Sequence, residues 1–155
     1  MIVFGILILC LTFFHADFSL FGKSVRICCL ILTTPNYFHN RTRAIHETWA
    51  PRCDRYFFIS EPTKRKNLTD EQKEIEKIIP IAPIYHDIAG YTNLTQRMAL
   101  AFHFAYENYF HDFDWFVKAD DDTYIIVENL REFLRKPDPS LPVTFGYNFK
   151  VIILD

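Results

Sequence analysis

The chain has 155 residues and a formal net charge of -2, one domain's worth at most, with no basic field to attract a nucleic-acid partner. Half of the residues are hydrophobic and 23% are charged, which permits a buried core and excludes a disordered chain. Sixteen Phe and eight Tyr against four Gly suit an aromatic-rich α/β core better than a loop-rich binding module.

Residues 1–14, MIVFGILILCLTFF, carry no charge, and Asp17 is the first ionised side chain. The run falls between a signal-peptide core and a full membrane span of about 20 residues, and continuing it to residue 21 would reach span length at the cost of His15 and Asp17. It is therefore an N-terminal membrane or signal segment. No Lys or Arg precedes it, and Lys23 and Arg26 follow, so orientation and cleavage stay open. Asn40-Arg41-Thr42, Asn67-Leu68-Thr69 and Asn93-Leu94-Thr95 are N-glycosylation triplets, and together with the apolar start they point to a lumenal location. The four cysteines are compatible with that: Cys10, the adjacent Cys28 and Cys29, and Cys53. Neighbours on a strand face opposite ways, so only one of Cys28 and Cys29 readily meets Cys53. That bridge would stabilise the fold by about 3 kcal/mol; the alternative is three buried free thiols.

Val25–Leu32 is a short apolar, β-branched run ended by Thr33-Thr34-Pro35 and reads as a buried first strand. Residues 40–49 read as a helix, Arg55–Ser60 as a second strand, and the charged stretch Lys64–Lys77 as a solvated loop with a surface helix. Ile81–His86 alternates weakly, as a third strand would. From Leu94 the period becomes helical, with Leu94, Met98, Ala101, Phe102, Ala105 and Tyr109 on one face. Asp114–Ala119 is a strand running into Asp120-Asp121-Asp122. Val127, Leu130, Phe133 and Leu134 mark a further helix closed by Pro137, and Val143–Phe145 reads as the start of one more strand. Strands alternating with helices give an α/β domain with a mainly parallel sheet, whose ligands bind at the carboxyl ends of the strands. The triple aspartate stands at such an end.

Three consecutive carboxylates repel one another unless a cation neutralises them, and hard oxygen ligands suit Mg²⁺ or Mn²⁺. A divalent ion held there could bridge to a diphosphate and stabilise its departure. Other aspartate motifs fail on spacing. An EF-hand loop starting at Asp120 would need Gly and Glu where Ile125 and Arg131 stand. An aspartyl-phosphate site would need Thr or Val in place of Tyr124.

The segment WFVKADDDTYIIVENLREFL (115–134) resembles the DxD region of the inverting β-1,3-glycosyltransferases, the family of the β-1,3-galactosyltransferases and Fringe. RAIHETW (43–49) and YTNLTQRMALAF (91–102) resemble two further elements of that family, in the same order. VRICCLILTTP, TWAPRCDRYFFIS and FGYNFK extend the likeness, over roughly residues 24–150, to its core 1 branch. The resemblance implies a Rossmann-like GT-A domain in a single-pass type II Golgi membrane protein. It implies Mn²⁺ (or Mg²⁺) as cofactor, UDP-galactose as donor, an O-linked GalNAc on a glycoprotein as acceptor, and homodimerisation as an option. It pairs Cys29 with Cys53. Asp120 and Asp122 match the outer carboxylates of the metal site, with Asp122 the direct ligand, and Asp120 and Asp121 border the donor. Thr33, Arg43 and Asp87 match positions near the donor nucleotide. Arg97 stands where the family usually has Lys, and His46 where a basic residue is usual. Asn93 falls inside a family motif, leaving Asn40 and Asn67 as the glycosylation sites.

Past FGYNFK the resemblance stops: residues 151–155, VIILD, match nothing in the family pattern. The expectation is a chain cut short before the acceptor half, with the base that deprotonates the acceptor beyond its end and little or no transfer activity. The competing expectations are a chaperone-like or partner subunit of a core 1 transferase, or a fragment that exposes an unpaired sheet edge and aggregates.

Overall fold

The computed structural model describes residues 24–61, 68–84 and 94–146. Strand β1 (Ile27–Leu32) is the centre of a three-stranded sheet, flanked by β2 (Arg55–Ile59) and β3 (Trp115–Asp120), and both pairings are parallel. All six β1 residues are buried. A strand covered on both faces has no polar side to show, which is why its sequence is a continuous apolar run rather than an alternation.

Alternate β1 residues enter separate cores. Ile27, Cys29 and Ile31 join Phe38, Trp49, Phe58 and Ile75 on one face of the sheet; Cys28, Leu30 and Leu32 join Phe57, Ile59, Ala101 and Ala105 on the other. The result is an α/β/α sandwich, the class expected of a Rossmann-like GT-A domain. On the first face lie helices α1 (Arg43–Glu47), α2 (Asp70–Ile78) and α4 (Val127–Leu134). Helix α3 (Leu94–Tyr109) covers the second, where Ala101 and Ala105 let its backbone come close to the strands.

The connection from β1 to β2 is helical but broken into pieces. A 3-10 turn (Pro35–Tyr37), one wide π turn (Phe38–Thr42), α1 and a second 3-10 turn (Ala50–Arg52) follow one another. The disulfide joins Cys29 to Cys53, with Cα atoms 6.4 Å apart, and Cys28 on the opposite face is a buried free thiol. Helix α2 begins with a capping box: Thr69 Oγ1 accepts from the Gln72 N–H at 3.2 Å, and Gln72 Oε1 accepts from the Thr69 N–H at 2.8 Å.

Four expectations change. The expected strand at Ile81–His86 reduces, in its described part, to a single bridge between Ile81 and Phe58. Val143–Phe145 forms no strand; Phe145 instead lays its ring against Trp115 and Phe133, at 5.7 and 5.1 Å between centroids. Phe102 is 44% exposed, because the buried stripe of α3 is centred on Arg97, Ala101 and Ala105 and takes in Phe104, whose ring meets Phe57 edge-on. Phe133 is likewise 48% exposed, since Val127 and Leu134 are the α4 residues that face the sheet. Residues 1–21, Asn67, Asp87, Asn93 and 151–155 lie outside the described residues. No helix among the described residues is long and apolar enough to cross a membrane.

The order β2-β1-β3 has a functional consequence. The chain leaves β1 for one side, then returns across it to place β3 on the other. Connections therefore diverge at the carboxyl ends of β1 and β3, the switch point where open α/β sheets hold their ligands.

Candidate donor and metal site

A pocket of about 450 Å³ lies at that switch point. Thr33 and Thr34 enter it from the end of β1, Tyr37 and Arg41 from the turns that follow, Asp120, Asp121 and Asp122 from the end of β3, and Leu94 from the start of α3. The aspartates occupy a tight turn, closed by the Thr123 N–H donating to the Asp120 carbonyl at 3.1 Å. Trp49, fully buried, fastens the far end of the turn by donating its Nε1–H to the Thr123 carbonyl at 3.1 Å. A metal or phosphate site needs such rigid support.

The three carboxylates differ in surroundings. Asp121 is nearly buried, its side chain 10% exposed, and both of its oxygens are engaged. Oδ2 accepts from the Thr33 hydroxyl at 2.9 Å and Oδ1 from Arg41 at 3.1 Å. The Thr33 hydroxyl also lies 2.7 Å from that of Thr42, which is fully buried. Arg41 lies over the Tyr37 ring, 4.2 Å from its centroid. Its guanidinium is held above its ordinary pKa by the hydrogen bond to Asp121, so it is a fixed positive charge. Asp120 is half exposed and accepts from Lys118 Nζ at 2.6 Å. Asp122 is exposed at the pocket.

No cluster of three His, Cys, Asp or Glu side chains converges among the described residues. The outer pair to which the resemblance points, Asp120 and Asp122, lines the pocket. This pair fits a Mg²⁺- or Mn²⁺-type ion, which near nucleotides takes one or two carboxylates, with water and substrate phosphates completing its shell.

The other expected site residues fall away from the pocket lining. Arg43 donates to Glu47 at 2.7 Å on an exposed helical surface. Arg97 is buried and ion-paired with Glu61 just after β2, at 3.5 Å. His46 meets the Tyr56 hydroxyl at 2.8 Å through Nδ1. Asn40 is exposed, one residue before Arg41. Arg41 and Tyr37 are pocket groups that the sequence reading missed, as it missed the buried Thr42 behind Thr33; Asn-Arg-Thr drew notice only as a glycosylation triplet.

The model of the Fringe-like family matches residues 23–150. The chain is 35% identical over 134 residues to glycoprotein-N-acetylgalactosamine 3-beta-galactosyltransferase 1 of Xenopus laevis, an alignment covering 85% of this chain and 33% of that protein. It is 24% identical over 119 residues to chondroitin sulfate synthase 3 of Homo sapiens, covering 75% of this chain and 13% of that one. It is 26% identical over 120 residues to the Mus musculus synthase of the same name. The chain thus spans about a third of the length of the Xenopus relative. With the family match running across every described strand and helix, the chain belongs to the Fringe-like family of glycosyltransferases.

Proposed function

We propose that this chain carries the donor-binding unit of a core 1 β-1,3-galactosyltransferase, which moves galactose from UDP-galactose to O-linked GalNAc on glycoproteins. The observation that carries the reading is the placement of the triple-aspartate turn. It faces Thr33 and Tyr37 across a pocket at the point in the described sheet where connections diverge. The 35% identity to a galactosyltransferase of that specificity supports the choice of donor and acceptor.

Asp120 and Asp122 would hold Mn²⁺ (or Mg²⁺), which supplies charge neutralisation for the diphosphate. The chain's own residues do the rest of the binding. The Tyr37 ring, steadied by Arg41, offers the base a flat apolar surface. Thr33 and Thr42 keep the aspartate turn at a fixed distance from β1. Arg97, through Glu61, ties the first turns of α3 to the end of β2 and so places Leu94 at the pocket. The disulfide and the exposed Asn40 triplet suit the lumen of the secretory pathway, where a type II Golgi membrane protein would present this domain.

Calorimetric titration of the full chain with UDP tests the proposal. Binding that requires Mn²⁺ and is lost in both Asp120→Asn and Asp122→Asn is the expected result. Binding of UDP with equal affinity in EDTA, or in the double variant, would refute the assigned metal pair.

A further inference from the structure

The pocket has a charge problem that its aspartates alone cannot solve. A nucleoside diphosphate brings negative charge into a site already lined by Asp120, Asp121 and Asp122, and like charges at this range oppose binding. One divalent ion shared with two carboxylates leaves little net positive charge for the phosphates. Among the described residues that line the pocket, Arg41 is the one cation.

Arg41 is also held in place. It donates an Nη1–H to Asp121 Oδ1 at 3.1 Å, and its guanidinium carbon lies over the Tyr37 ring, 4.2 Å from the centroid. Asp121 is in turn fixed by Thr33, which is 2% exposed and bonded to the buried Thr42. A guanidinium has five N–H donors, and only one contact, to Asp121, is made to a carboxylate here. The side chain is 43% exposed, so donors remain on the open side. A guanidinium held by one carboxylate and lying over a ring has lost much of its rotamer freedom before any ligand arrives.

The geometry points to Arg41 as the residue that meets the donor's diphosphate, with Asp121 a positioning residue for it rather than a metal ligand. This rests on the donor-site reading above. It divides the triple aspartate into two functions, the outer pair for the cation and the middle one for the arginine.

The test separates phosphate recognition from base recognition and from folding. The full chain is titrated in Mn²⁺ with UDP and with uridine, which shares the base and lacks the phosphates. Arg41→Gln is expected to weaken UDP by about tenfold or more, the scale of a charge-assisted hydrogen bond, while uridine changes by less than about threefold. Arg41→Lys, which keeps the charge and loses the planar fork, should fall between wild type and Arg41→Gln. Asp121→Asn should weaken UDP in the same direction while Mn²⁺ binding, read by electron paramagnetic resonance, persists. A misfolded variant would lose both ligands together and is recognised by its circular dichroism, in which case Arg41→Lys decides. An unchanged UDP affinity in Arg41→Gln, or loss of Mn²⁺ binding in Asp121→Asn with UDP selectivity intact, overturns this inference alone. A wild-type chain that binds neither UDP nor uridine overturns the donor-site reading and this inference with it.

Discussion

Thr33 is 2% exposed, and its hydroxyl touches both the Asp121 carboxylate and the Thr42 hydroxyl. Thr33→Val keeps the shape and deletes the hydroxyl, leaving a carboxylate oxygen and a buried hydroxyl short of a partner. That should cost about 1–3 kcal/mol in urea unfolding, and Thr33→Ser should recover most of it. A Thr33→Val chain as stable as wild type would show that water replaces the lost partner. Cys28, in the core on the opposite face from the disulfide of its neighbour, makes a different prediction. Burial pushes its thiol from 9.0 up to about 12, because the thiolate would be desolvated among apolar side chains. The folded state therefore holds its proton where the unfolded state releases it. This contribution to stability is whole below about pH 9, and it is lost as pH rises toward about 12, with a slope of at most about 1.4 kcal/mol per pH unit. Cys28→Ala should be less stable at neutral pH through its cavity, but its unfolding free energy should fall less steeply with alkali. Parallel pH profiles for the two chains would refute the assignment.

Elements that depend on local pattern were legible; those that depend on phase were not. The β1 run and the triple aspartate were readable because each is continuous in sequence: ICCLIL is buried on both faces, and three adjacent carboxylates at a strand end repel one another unless a cation neutralises them. The segment after β1 was legible as helical but not in its phase. The expectation for Arg43 came from the family resemblance, which carries no side-chain direction. The wide turn at Phe38–Thr42 holds one residue more than a regular helical turn, Arg41 lies at the pocket, and Arg43 pairs with Glu47 on the surface. The strand expected at Val143–Phe145 failed differently, since a β-branched and aromatic triplet packs equally well as an irregular cover over Trp115 and Phe133. Two element-scale predictions follow from the caps and cross-links. Thr69→Ala removes one half of the α2 capping box and should lower stability by about 1 kcal/mol, with Thr69→Ser neutral. Cys53→Ser opens the Cys29–Cys53 bridge across a separation of 24 residues, an expected loss of about 3 kcal/mol in the chain-entropy account. A larger loss for Thr69→Ala than for Cys53→Ser would mean that the capping box and not the bridge carries the greater share of stability.

At the scale of the whole molecule, the two ends of the sheet have separate functions. The carboxyl ends hold the pocket, whereas the amino ends are stitched by charge. Asp114 accepts the Arg26 N–H at 2.8 Å and pairs with the Arg26 guanidinium at 3.1 Å. Asp54 accepts the Ile27 N–H at 2.8 Å and the Arg131 guanidinium at 2.7 Å, and Arg131 also reaches the Arg52 carbonyl at 3.0 Å. These contacts join β1, the loop before β2 and helix α4 at the end of the sheet opposite the aspartates. Sites without shared partners contribute independently, so damage at one end should not propagate to the other. Asp54→Ala is therefore expected to lower the unfolding free energy by about 1–3 kcal/mol and to leave the UDP dissociation constant within about twofold. Asp122→Asn should do the reverse, abolishing Mn²⁺-dependent UDP binding with little change in the stability of the free chain. Ligand at about 100 times its dissociation constant should then add about 2.7 kcal/mol to wild type and to Asp54→Ala alike. It should add nothing to Asp122→Asn. Thermal melts with and without UDP and Mn²⁺ measure both columns of this comparison. Asp54→Ala losing affinity in proportion to its stability would mean that the pocket is shaped by the whole sheet and not by its carboxyl end.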